Sequence, residues 1–191
     1  MKSDCATKII DQPHFFLLTG GPGSGKTSVL NELSKSGYTV VSEVAREIIK
    51  TQNRNGGNAT HNGDRNAFRD LMLKQSITDF ERMLANPHPV FFDRGIPDLY
   101  GYSHHFCNHI PSSVSQAVQQ YRYNPKVFIF SPWLEIYSHD SERKQDFQEA
   151  IDTYQALKEA YLVCGYQLIE VPKVSVLNRT EFILHMLNTK Q

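Results

Sequence analysis

Eight consecutive residues, Gly20, Gly21, Pro22, Gly23, Ser24, Gly25, Lys26 and Thr27, read as G-x-x-x-x-G-K-[ST]. Glycines without Cβ let a chain turn tightly and aim successive N–H groups at one anion. A helix opening at the end of such a turn adds unpaired N–H groups and a positive dipole end. Lys26 is then a mobile charge for β- and γ-phosphates, the Thr27 hydroxyl a ligand for Mg²⁺, and Ser28 stands next in the first helical turn. Glycine-rich turns also precede helices without binding anything, so context matters. Phe15 to Leu18 form an apolar run before the turn, and Val29, Leu30 and Leu33 follow at helical spacing. Strand, loop and helix are the setting this motif requires, and the expectation is a bound nucleoside triphosphate.

Other residues have chemistry to offer at the ends of later segments. Asp93 closes "VFFD" and can hold Mg²⁺ through water, or cap the next helix; Arg94 follows it as a phosphate contact or an ion-pair partner. Glu43 closes "YTVV-SE". It reads either as general base for an acceptor hydroxyl or as a helix-start carboxylate favoured by the dipole. Arg46 is a substrate clamp or Glu43's helical neighbour. Arg143 and Lys144, in "HDSERKQDFQEA", are a solvated charge run or the closing groups that neutralise a transferring phosphoryl. His104, His105, Cys107 and His109 look like metal ligands on paper. On a helix, however, His105 and His109 share one face and His104 and Cys107 another, short of the ligands a zinc site wants.

These residues need elements to position them. After the first strand and helix, a second strand is expected over Tyr38 to Val41, then a helix in "EVAREIIKTQ" and a polar, mobile loop from Asn53 to Asp64. Asp64 caps a long helix reaching about Ala85. Val90 to Asp93, Lys126 to Phe130 and Tyr166 to Val171 are the remaining strands. Helices are expected over Asp98 to Phe106, Ser112 to Tyr121, Gln145 to Val163 and Ser175 to Leu187. Strands alternating with helices make a parallel sheet covered on both faces, with ligands at the strands' carboxyl ends. The loops after the first four strands should therefore build one site.

Composition narrows the partners. Lys plus Arg and Asp plus Glu are 20 each, which argues against non-specific nucleic-acid binding. Three scattered cysteines without C-x-x-C fit reduced thiols of a cytoplasmic protein, and no apolar run reaches membrane-spanning length. The chain reads as one domain over residues 1–191. A guanine-reading N-K-x-D and a transporter-type L-S-G-G-Q are both absent. Arg94 stands where hydrolytic ATPases commonly place a glutamate, and an arginine stays protonated and cannot be that base. Phosphotransfer, which needs positioning and charge neutralisation, remains.

"TGGPGSGKTSVL", "VVSEVAREII", "FFDRGIPDLYGY", "SPWLEIYSHDSERKQDFQEA" and "GYQLIEVPKVSVLNRTEFIL" together resemble an AAA-type ATP-binding domain family. That family includes the nicotinamide-riboside kinase domain of a bacterial NAD-biosynthesis regulator and animal proteins described as nucleotide- and phosphoinositide-binding. The resemblance covers nearly the whole chain. It implies a P-loop kinase-like, three-layer α/β/α fold with a parallel five-stranded sheet in the order 2-3-1-4-5, and ATP as nucleotide. It also implies that Gly20 to Thr27 bind phosphate, that Asp93 and Arg94 belong to the D-R-G segment, and that Arg143 and Lys144 match a basic lid. The regulator's adenylyl-transferase domain has no counterpart here, so its acceptor is not carried over. The expected protein is an ATP- and Mg²⁺-dependent small-molecule kinase with an acceptor of unknown identity. The alternatives are a nucleotide-dependent regulator with little catalysis and a slow ATPase.

Overall fold

The computed structural model describes residues 8–137 and 147–188. In chain order the elements are β1 (Ile10–Asp11), β2 (Phe15–Gly20), α1 (Lys26–Lys35), β3 (Thr39–Val41), α2 (Val44–Asn55), α3 (Arg65–Met83) and β4 (Val90–Asp93). They continue with α4 (Ile96–Cys107), α5 (Ser112–Gln120), β5 (Tyr121–Arg122), β6 (Lys126–Phe130), a 3₁₀ turn (Leu134–Ile136), α6 (Phe147–Val163), β7 (Gln167–Glu170) and α7 (Val176–Asn188).

The main sheet has five parallel strands in the order β3-β4-β2-β6-β7. Numbering those strands alone gives 2-3-1-4-5, the expected arrangement. β2 is central because every residue of "FFLLTG" is buried, as a strand covered on both faces must be. Its side chains alternate. Phe15 and Leu17 join Val90, Phe92 and Val127 under Phe68, Phe80, Leu99, Val114 and Tyr161 from α3 to α6. Phe16 and Leu18 join Phe91, Phe128 and Phe130 under Val29, Leu30 and Leu33 of α1 and Ile183 of α7. Truncating a fully buried leucine such as Leu17 to alanine removes about 2–5 kcal/mol from a core of this kind.

Helix ends follow local chemistry. The Asp64 carboxylate accepts from the Ala67 N–H at 2.9 Å and starts α3 where expected. α4 begins at Ile96, two residues ahead of expectation, because Pro97 is tolerated in a first turn and Asp98 reaches back to the Gly95 N–H at 2.8 Å. α2 runs on through Asn55, so the polar loop begins only at Gly56, whose φ of 67° ends the helix. That loop is tied back to α2 by the Ala59 N–H donating to Gln52 Oε1, and within itself by the Asp64 N–H donating to the Asn58 carbonyl. α2 itself has no fully buried residue. A short parallel bridge pairs β1 with β5; two-residue strands carry no periodicity that a sequence can display.

Candidate functional site

The register of the sheet delivers the glycine loop and its acidic partner together. Leu18 of β2 pairs with Asp93 of β4, and Gly20 pairs with Phe130 of β6. The chain between Gly20 and Lys26 therefore emerges at the carboxyl edge of the sheet, in its centre. Gly25, at φ 78°, is the N-cap of α1, a conformation that favours glycine. Gly23 has φ 72°, and a Cβ there would lie 2.4 Å from the Tyr137 ring. Ser24 Oγ donates to the Gly21 carbonyl at 2.9 Å and fixes the turn from inside.

Lys26 bends back from the first turn of α1 and donates to Asp93 Oδ1, both side chains being buried. The two charges neutralise one another at the floor of the loop. Thr27 and Ser28 are exposed on the same first turn. Thr27 and Asp93 are hard oxygen donors, a set that suits Mg²⁺.

Arg94 has φ 68°, which is uncommon for a residue with a side chain and stores strain at this turn. The turn sends its guanidinium across to the start of α2: Nε donates to Oε1 of its N-cap residue Glu43 at 2.9 Å, and Nη1 donates to Asp98 Oδ1 at 3.2 Å. The Arg94 ion pair is thus what the structure contains. Arg46 Nε lies 3.5 Å from Glu43 Oε2, the helical-neighbour arrangement. Burial alone would raise the Glu43 pKa, but Arg94, Lys26 and Arg46 outweigh it and hold the group down at about 2. Burial would likewise lower Arg94, and Glu43, Asp98 and Asp93 more than offset it, raising its pKa. A groove of about 550 Å³ runs from Glu43 between α2 and α3, lined by Thr51, Gln52, Gln75 and Asp79 among others.

Two residues outside the sequence-based set belong to this region. Asp98 accepts from Thr19 Oγ1 at 2.6 Å, the Gly95 N–H, Arg94 and Tyr161 O–H at 2.5 Å. It ties β2, the β4–α4 turn and α6 together. Its position three residues after Gly95 is the capping-box spacing, a signal the sequence does carry. Arg179 of α7 lies against the loop: Nη1 is 3.4 Å from the Ser24 carbonyl, and a Cβ on Gly25 would meet it at 2.6 Å. Nothing in the helical pattern of α7 marks that residue.

Arg143 and Lys144 lie outside the described residues, as does the expected helix start at Gln145. The histidine-rich stretch does not assemble as a ligand face. Asn108, at φ 53°, ends α4 after Cys107 and leaves His109 beyond it. Among the described residues no group of three or more His, Cys, Asp or Glu could hold a metal ion.

A family model described as AAA domain matches residues 15–179, from β2 into α7. The chain belongs to the AAA domain family. No curated protein matches the sequence. Among solved structures, deoxyadenosine kinase from M. mycoides superposes with a TM-score of 0.63 at 15% identity, covering 91% of this chain and 98% of that one. Thymidylate kinase from Ehrlichia chaffeensis gives 0.58 at 14% identity, covering 92% and 98%. The YorR protein of Bacillus subtilis, in complex with phosphorylated GDP, gives 0.55 at 13%, covering 91% and 95%. At these identities the likeness shows the fold, that of P-loop nucleoside and nucleotide kinases. No helix among the described residues is long and apolar enough to cross a membrane.

Proposed function

We propose that this AAA-domain protein binds ATP with Mg²⁺ and transfers the γ-phosphoryl group to a hydroxyl of a small molecule. The observation that carries the reading is the buried Lys26–Asp93 contact beneath the glycine loop, with Glu43 and Arg94 joined beside it. Bound phosphates would take over Lys26, freeing Asp93 to hold Mg²⁺ with Thr27. Held there, the ion would supply neutralisation of the negative charge on the transferring phosphoryl group. The loop amides and Lys26 would fix the donor, and the groove beside Glu43 would take the acceptor. A carboxylate whose pKa is about 2 is a weak base, which favours Glu43 as the group orienting the acceptor hydroxyl. Arg94, held by Glu43 and Asp98, would keep that carboxylate aimed. Arg143 and Lys144 are assigned to closing over the transferring group by resemblance.

The test is ADP production from Mg-ATP with and without a panel of nucleosides, vitamins and sugars, using Lys26→Ala as the blank. A rise with one compound, absent in Lys26→Ala, supports the kinase and names its acceptor. A flat response with tight ATP binding favours a nucleotide-dependent regulator. Acceptor-independent ADP release would mark a slow ATPase.

A further inference from the structure

Arg179 is a cation in an unusual place. It is 4% exposed, yet no ion pair joins it to a carboxylate among the described residues. Its Nε is buried without a hydrogen-bond partner, and Nη1 makes one long contact, to the Ser24 carbonyl. The guanidinium instead rests over the Trp133 ring, 5.4 Å from its centroid. Burial lowers its pKa, and no charge among the described residues offsets the effect. A buried charge without a partner is costly, and the plainest remedy is an anion that arrives from outside. Among the described residues, the anion-binding device adjoining it is the glycine loop, whose Gly25 lies directly against the guanidinium.

We propose that Arg179 is a nucleotide-binding residue that grips the α/β end of the phosphate chain from α7, with Trp133 as its resting platform. The inference rests on the ATP-binding reading above. Position selects the end of the chain: Ser24 and Gly25 precede Lys26, and such loops cradle the α- and β-phosphates with backbone amides while the lysine reaches β and γ. On binding, Nε and Nη1 exchange an empty side and a long carbonyl contact for phosphate oxygens. A guanidinium suits that task because its fork presents parallel donors.

The chain's single tryptophan is Trp133, so its fluorescence reports directly on Arg179. Mg-ATP and Mg-ADP are titrated into wild type, Arg179→Gln and Arg179→Lys, with affinity read by calorimetry and Trp133 emission followed in parallel. Expected are a loss of roughly ten- to hundredfold in affinity for both nucleotides in Arg179→Gln, partial retention in Arg179→Lys, and a Trp133 response on binding in wild type that Arg179→Gln lacks. The melting temperature without nucleotide should not fall, because an unpartnered buried charge has been removed. Affinity within about twofold of wild type in Arg179→Gln overturns the proposal, as does a loss confined to ATP, which would place the contact at the γ-phosphate. A fall in melting temperature with unchanged affinity in Arg179→Lys assigns Arg179 to tying α7 to Trp133 and also overturns it. If wild type binds neither nucleotide, the ATP-binding reading itself fails, a result separable from the others because it precedes any variant.

Discussion

At the residue scale, Glu43 carries the sharpest consequences. Its pKa is about 2 against an ordinary 4.5, so the folded state binds its proton less readily than the unfolded chain does. For a depressed carboxylate the associated stability is complete above the unfolded value and disappears as pH falls through the folded one. Acid unfolding followed by circular dichroism should therefore show a contribution lost between about pH 4.5 and 2, and Glu43→Gln should abolish that contribution. In the same variant turnover should fall with nucleotide affinity kept, since Glu43 lines the groove proposed for the acceptor; unaltered turnover would remove its proposed role. The sequence located Glu43, Asp93 and Arg94 at strand ends because strand ends on a parallel sheet converge. It left their partners open, because a three-way contact among the N-terminus of α2, the β4–α4 turn and α4 depends on the positive φ of Arg94. No spacing in the chain records that torsion.

At the scale of elements, Asp98 is the joint. Four donors from β2, the β4–α4 turn and α6 converge on one buried carboxylate. Asp98→Ala should be destabilised by about 3–5 kcal/mol in denaturant melts, since Arg94 loses a buried partner and Thr19 and Tyr161 are left unpaired. Asp98→Asn, which keeps the shape and some acceptors, should lose less. Equal losses in the two variants would mean that the charge, not the oxygen geometry, holds the joint. Strand positions were legible because buried parallel strands are short apolar runs: Val90–Asp93 and Lys126–Phe130 fall where expected. The start of α4 was less so, because Gly95, Pro97 and Asp98 make a helix entrance out of residue types that usually mark turns.

For the whole molecule, the alternating elements implied a parallel sheet and the resemblance its order, and the observed β3-β4-β2-β6-β7 bears both out. Arg179 shows where that reading stops. It lies 155 residues from Ser24 along the chain and reaches the loop only because α7 packs beside α1 on one face of the sheet. A local pattern can show that α7 is amphipathic; it holds no information about which of its polar residues ends up buried against a loop folded near the other terminus.

α2 has no fully buried residue, whereas α1, α3, α4 and α6 each bury several. Helices held by few buried contacts open at lower free energy than the global transition. Amides of α2 should accordingly exchange with deuterium well before those of α4 and α6. Glu43, at the N-terminus of α2, would then keep its alignment mainly through Arg94, making the proposed acceptor side the softest part of an otherwise firmly held sheet edge.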